Sequence, residues 1–97
     1  MFEILFTESA LKDLQYLSKK EQKRVLKTVD GQLKNEPLKP TRNRKPLRPN
    51  DLSAWEVRAG TLRIFNDVSE ADEAVTIKAV GWKDRNRLFI RGQEFEL

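Results

Sequence analysis

Four prolines, at positions 37, 40, 46 and 49, split the chain into two halves whose apolar residues repeat with different periods. A helix needs a period near 3.6 and a strand a period of two, so the switch predicts helices before the prolines and a sheet after them. Phe2, Ile4 and Phe6 alternate with Glu3, Leu5 and Thr7, which adds an opening strand with one apolar face. Thr7 suits a helix N-cap, and Ala10, Leu11, Leu14 and Leu17 follow at helical spacing, with Lys12, Asp13 and Gln15 expected toward solvent. Ser18 and Glu21 have capping-box spacing and start a second helix, whose expected buried stripe is Val25, Leu26, Val29 and Leu33. Gly31 weakens that helix, and Asn35-Glu36-Pro37 ends it. The two helices read as an antiparallel hairpin.

From Leu38 to Ser53 no period survives, and the prolines predict an irregular loop studded with Arg42, Arg44, Lys45 and Arg48. After it, Trp55, Val57 and Ala59 alternate with Glu56 and Arg58, Gly60-Thr61 turns the chain, and Leu62 to Val68 forms the next strand. A further strand runs from Ala74 to Val80, with Val75, Ile77 and Ala79 expected on one face and Thr76, Lys78 and Val80 on the other. Leu88-Phe89-Ile90, Arg91-Gly92 and Glu94-Phe95 read as a short terminal hairpin. The predicted fold class is α+β: one domain over residues 1–97, an N-terminal strand, and a two-helix hairpin packed on one face of an antiparallel sheet.

The chain has no histidine and no cysteine. Disulfides, thiolate zinc sites, cysteine nucleophiles and the commonest general base are thereby excluded, and any catalysis must use Lys, Arg, carboxylates, hydroxyls or backbone groups. No phosphate-binding glycine loop, dinucleotide fingerprint or two-metal carboxylate pair occurs, so neither metal nor cofactor is expected. No stretch resembles a signal peptide or a membrane span, which makes the cytoplasm the expected location and excludes a membrane partner.

Charge is unevenly spread. Residues 37–65 carry seven basic and two acidic groups, 66–77 carry four acidic groups, and 78–92 return to a net of +4. Two basic segments flanking an acidic turn can form one positive face, for which a phosphate backbone is the usual partner. If Trp55 and Val57 face the core, Glu56 and Arg58 face the open side of the sheet. Arg63 then lies close to Arg58 across the turn, with Lys78 on the third strand and Lys83, Arg85 and Arg87 following it. Like charges opposite one another on neighbouring strands repel, so such a cluster invites an anion. Taken singly, each cation is an ordinary solvated surface charge.

The stretch Ala54-Trp55-Glu56-Val57-Arg58-Ala59-Gly60-Thr61-Leu62-Arg63-Ile64-Phe65 resembles the central hairpin of RelE-type toxins of the RelE/ParE superfamily. The run Val75 to Arg85 resembles their last core strand with its glycine-plus-basic loop, and the opening strand and Lys-rich helices are also similar. The resemblance implies a toxin of a toxin–antitoxin module that enters the ribosome and cuts mRNA without a metal, its partners being a cognate antitoxin, the ribosome and mRNA. It implies catalytic roles for Arg58, Arg63, Lys83 and Arg85, and RNA contacts from Arg44, Lys45, Arg48, Glu56, Lys78, Arg87 and Phe89. Glu56 stands where a lysine is expected and Phe89 where RelE has a tyrosine. Two other readings stay open on the sequence: a ParE-like inhibitor of DNA gyrase, and a member of the fold that binds RNA or protein without cutting.

Overall fold

The computed structural model describes residues 1–97. Strand β1 (Glu3–Phe6) leads into helix α1 (Glu8–Tyr16), where the Thr7 side chain accepts from the Ala10 amide. Helix α2 (Lys19–Leu33) starts at the expected capping box: the Ser18 hydroxyl accepts from Glu21 N–H while the Glu21 carboxylate accepts from Ser18 N–H. Six strands follow: β2 (Arg44–Pro46), β3 (Trp55–Ala59), β4 (Leu62–Ser69), β5 (Ala74–Asp84), β6 (Arg87–Ile90) and β7 (Gln93–Phe95). They form one sheet in the order β2-β3-β4-β5-β6-β7, antiparallel throughout. β1 joins it in parallel, with Glu3 to Phe6 beside Ala74 to Ile77. No helix is long and apolar enough to cross a membrane.

The core lies between the two helices and one sheet face, with Ala10, Leu14, Val25, Val29 and Leu33 packed against Val57, Ile64, Val75 and Ile77. Leu11 and Leu26, assigned to the buried stripes from sequence, are 43% and 48% exposed. Asp13 takes the inward position instead. Residues 10, 13, 14 and 17 make the stripe of α1 that faces the sheet, and Asp13 is buried in it.

Its reason lies in the sheet. β1 covers the first part of β5 and β6 the last part, both on the edge away from β4, which leaves the Val80 amide between them unpaired by any strand. Asp13 Oδ2 accepts that N–H at 3.1 Å, and Asp13 Oδ1 lies 2.9 Å from Arg91 Nε in the β6–β7 turn. Burial pushes the Asp13 carboxyl above its ordinary 3.8, against the lowering effects of Val80 N–H and Arg91. Between 3.8 and that raised value the folded protein keeps a proton that the unfolded chain releases, so stability falls as pH rises through this window. Asp13→Asn keeps an acceptor for Val80 and is expected to flatten the dependence, as read from denaturant midpoints across acidic pH.

Two further expectations are corrected. The loop from Leu38 to Ser53 contains a strand, β2, paired with β3 from Arg44↔Val57 to Pro46↔Trp55. Proline is tolerated there because β2 is an edge strand that needs no ladder donor on its outer side. The alternation along β5 also breaks. Phe65 pairs with Ala79 but Asn66 pairs with Ile77, so Lys78 is an extra residue in a β-bulge. Beyond it Ala79 turns to the face away from the helices, while Val80 turns inward.

That second face is not fully open, as Phe65, Ala79 and Leu88 form a small core on it, covered by Leu47, Leu52, Ile90 and Phe95. The segment after β2 closes over the face from one edge and β7 from the other. Only the end at the β3–β4 turn stays uncovered.

Candidate functional site

At that end the strands present a group of cations. Arg58 and Arg63 are direct cross-strand partners on the face away from the helices, because Val57, Ala59, Leu62 and Ile64 take the alternate positions in the core. Gly81 lies opposite Arg63 on β5, and Lys83 is two residues further along the same face. The Lys83 amide donates to the Thr61 carbonyl at 2.8 Å, which ties this strand end to the β3–β4 turn. Gly81, between them, has no side chain because β6 packs closely over it. A Cβ on Gly81 would lie 2.3 Å from the Phe89 carbonyl oxygen and 2.9 Å from Ile90 Cγ1, so the two strands approach tightly here.

Arg63 is the most constrained member, only 7% exposed. Its Nη1 donates to the Gly60 carbonyl at 2.7 Å and the Leu62 carbonyl at 2.9 Å. Its buried Nε has no partner. Burial, then the neighbouring Arg58 charge, holds its pKa below the ordinary arginine value, partly offset by Glu56. A guanidinium offers five donors in a fixed fork, and buried donors are rarely left orphaned. Arg63 thus spends one nitrogen on fixing the turn, while its buried Nε stays unpartnered within the protein.

Arg58 is exposed and makes no ion pair. Glu56, expected at the open surface, is 2% exposed. It sits beneath the cations, with Lys45 Nζ 3.7 Å from its Oε2. The flanking strand β2 and the cover of the second face bury it, so it anchors Lys45 from below and does not line the cleft wall.

The other sequence-derived candidates do not converge here. Arg44 points to the helix side, where its guanidinium donates to the Gln32 and Lys39 carbonyls and closes the C-terminal end of α2. Arg87 and Phe89 also lie on the helix side. Phe89 stacks on Trp82, Trp82 stacks on Tyr16, and Arg87 covers the Phe89 ring at 5.5 Å. Arg87 donates to Glu94 at 2.6 Å, a bond that raises its own pKa and lowers that of Glu94. Lys78 and Arg48 line cavities beside the residue 47–54 segment, on the same face as the cleft but farther along it. Arg85 is exposed at the tip of the β5–β6 turn, in a left-handed conformation with φ 60. Arg58, Arg63 and Lys83 are therefore brought together, with Lys45 and Glu56 behind them and Arg85 at the margin.

The chain is thus an α+β domain with two helices on one face of a seven-stranded sheet and a cluster of cations at the end of the other face. No family model matches the chain, and no curated protein matches it in sequence. Solved structures do. The RelBE2 toxin–antitoxin complex of Mycobacterium tuberculosis contains a chain 29% identical, with TM-score 0.73 over 84% of this chain and 98% of that one. The RelE–RelB complex of Pyrococcus horikoshii matches at 24% identity and TM-score 0.70, covering 87% and 97% of the two chains. Isolated Escherichia coli RelE shares the fold at 20% identity and TM-score 0.68, covering 88% and 87%. The chain has the fold of these RelE proteins, and its similarity to the Mycobacterium tuberculosis chain supports a place in the RelE-like toxin superfamily.

Proposed function

We propose that the protein is the toxin of a toxin–antitoxin pair and cleaves mRNA on the ribosome. The observation that carries this reading is the convergence of cations at one end of the sheet, where Arg58 and Arg63 are direct cross-strand partners and Lys83 follows Gly81, the residue opposite Arg63. A phosphate suits such a pair, since its oxygens match the guanidinium fork. The reaction uses groups that a histidine-free chain possesses. The 2′-hydroxyl oxygen of one nucleotide bonds to the adjacent phosphorus, the bond from phosphorus to the 5′-oxygen breaks, and the products are a 2′,3′-cyclic phosphate and a 5′-hydroxyl. The attacking hydroxyl loses its proton to solvent and the 5′-oxygen gains one.

In this reading Arg63 and Arg58 hold the phosphate and stabilise the extra negative charge of the pentacoordinate state. Lys83, two residues beyond Gly81 on the same sheet face, would assist the departing 5′-oxygen. Arg58 cannot take the proton, because a guanidinium stays charged at physiological pH, so the rate rests on charge stabilisation more than on general base catalysis. The partner is an antitoxin like those in the matched RelBE complexes.

Primer extension on mRNA from expressing cells tests the reading. Cuts at codons in the ribosomal A site, with translation stopping before DNA synthesis, are the expected result. Arrest of DNA synthesis first, with intact mRNA, would replace this reading with gyrase inhibition. Growth arrest with neither effect would leave a non-cutting binder.

A further inference from the structure

Arg58 has two sides. One faces the cleft. The other opens into a groove of about 500 Å³ between α2 and the β3–β4 turn, whose walls include Arg24, Lys27, Gly31 and Gln32 on the helix, with Asn43 and Arg58 opposite. Residues 24, 27, 28, 31 and 32 fall at helical spacing, so they form one stripe along α2 while Val25, Val29 and Leu33 face the core. The lining holds three cations and no carboxylate. Arg24, Lys27 and Arg58 make no salt bridge, although Lys12 on α1 and Lys34 at the end of α2 are each paired with an acid one turn away. Three unneutralised cations facing one concave surface repel one another unless an anion lies between them.

Two glycines keep this groove clear. The Arg24 guanidinium lies over Gly60, 3.0 Å from where a Cβ would stand, so the glycine lets the helix and turn come together. Gly31 is the reverse case: nothing lies within 4 Å of its would-be Cβ, which would point into open space. Glycine weakens a helix interior. Here no packing inside the protein requires it, and a side chain at 31 would narrow the groove.

We propose that this groove binds the sugar–phosphate backbone of single-stranded RNA as it leaves the cleft, with Arg58 shared between the two. The proposal rests on the RNA-cleaving reading and adds a second subsite to it. The scissile phosphate sits at Arg63, and phosphates of the neighbouring nucleotides lie along Arg24 and Lys27. The contacts are to backbone and carry no sequence preference.

The test uses the full-length protein and two uncleavable 2′-O-methyl RNAs, one of about ten nucleotides, long enough to fill both subsites, and one dinucleotide that fills only the cleft. The Arg24→Gln/Lys27→Gln variant is expected to bind the longer RNA on the order of 20-fold more weakly at 0.1 M salt. Its log–log salt slope should be about 1.4 units shallower, the contribution of two phosphates on a single strand. Its dinucleotide affinity should not change. Lys27→Glu, far from the turn that Arg24 covers, should show the same pattern and guards against a folding effect.

Gly31→Ala gives an opposed pair of readouts: a melting temperature higher by several degrees with weaker binding of the longer RNA. Wild-type affinity and slope in the double variant would overturn the groove and leave the cleft reading standing. Failure of the wild-type protein to bind the longer RNA any tighter than the dinucleotide would also overturn it. The cleft reading is judged separately, by whether cells expressing Arg63→Ala still arrest.

Discussion

Replacing Gly81 with alanine is expected to destabilise the protein by on the order of 3 kcal/mol and to remove its toxicity, though no charge is touched. The added methyl would be placed 2.3 Å from the Phe89 carbonyl oxygen and 2.9 Å from Ile90 Cγ1. A backbone carbonyl held in the β5–β6 ladder cannot swing away as a side-chain tip can, so the strands must part. β6 carries Leu88 and Ile90 into the small second core, and its separation would uncover Phe65 and Ala79 as well. Lys83 precedes the β5–β6 turn, so the same movement would pull it from the cleft. Denaturant unfolding reads the stability loss. A Gly81→Ala protein as stable as wild type, with unchanged strand pairing by amide exchange, would contradict the close approach described here.

Much of this architecture was legible from residue spacing. The caps at Thr7 and Ser18 follow local rules that need no distant partner, and both form as expected. The meander and the terminal hairpin follow from alternation and turn residues. Arg58 facing Arg63 follows from two strands and a two-residue turn. Where spacing failed, a distant element decided the outcome. The bulge at Lys78 has no local mark, yet it reverses which side chains of β5 face the helices. Arg44 looked like one more cation in a basic loop. The end of α2 supplies carbonyl acceptors that only the folded chain brings near it.

Asp13 is the instructive miss, because its signal was present. It falls three residues after Ala10 and four before Leu17, inside the stripe that periodicity marks as buried. Polarity argued for solvent, and the partner that outweighs polarity, the unpaired Val80 amide, is a product of sheet topology. The Arg24–Lys27 groove was hidden differently. Its residues read as the ordinary solvated side of an amphipathic helix, and only the approach of the β3–β4 turn makes that side concave.

Substituting Arg63 with alanine is expected to lower mRNA cleavage by roughly 10²–10³-fold, the loss typical when a preorganised donor to developing charge is removed. The same change deletes two hydrogen bonds to the Gly60 and Leu62 carbonyls, each worth about 1 kcal/mol, so a modest fall in stability accompanies it. The two effects can be separated. Arg63→Lys keeps a positive charge and can still reach a turn carbonyl, but it lacks the planar fork that matches a phosphate. If Arg63 acts through fixed geometry on a phosphate, lysine should restore most of the stability and little of the cleavage. If it acts only by holding the β3–β4 turn, both should return together. Cleavage by Arg63→Ala at the wild-type rate would remove Arg63 from the chemistry altogether. The case for a scissile phosphate between Arg58 and Lys83 would be lost with it.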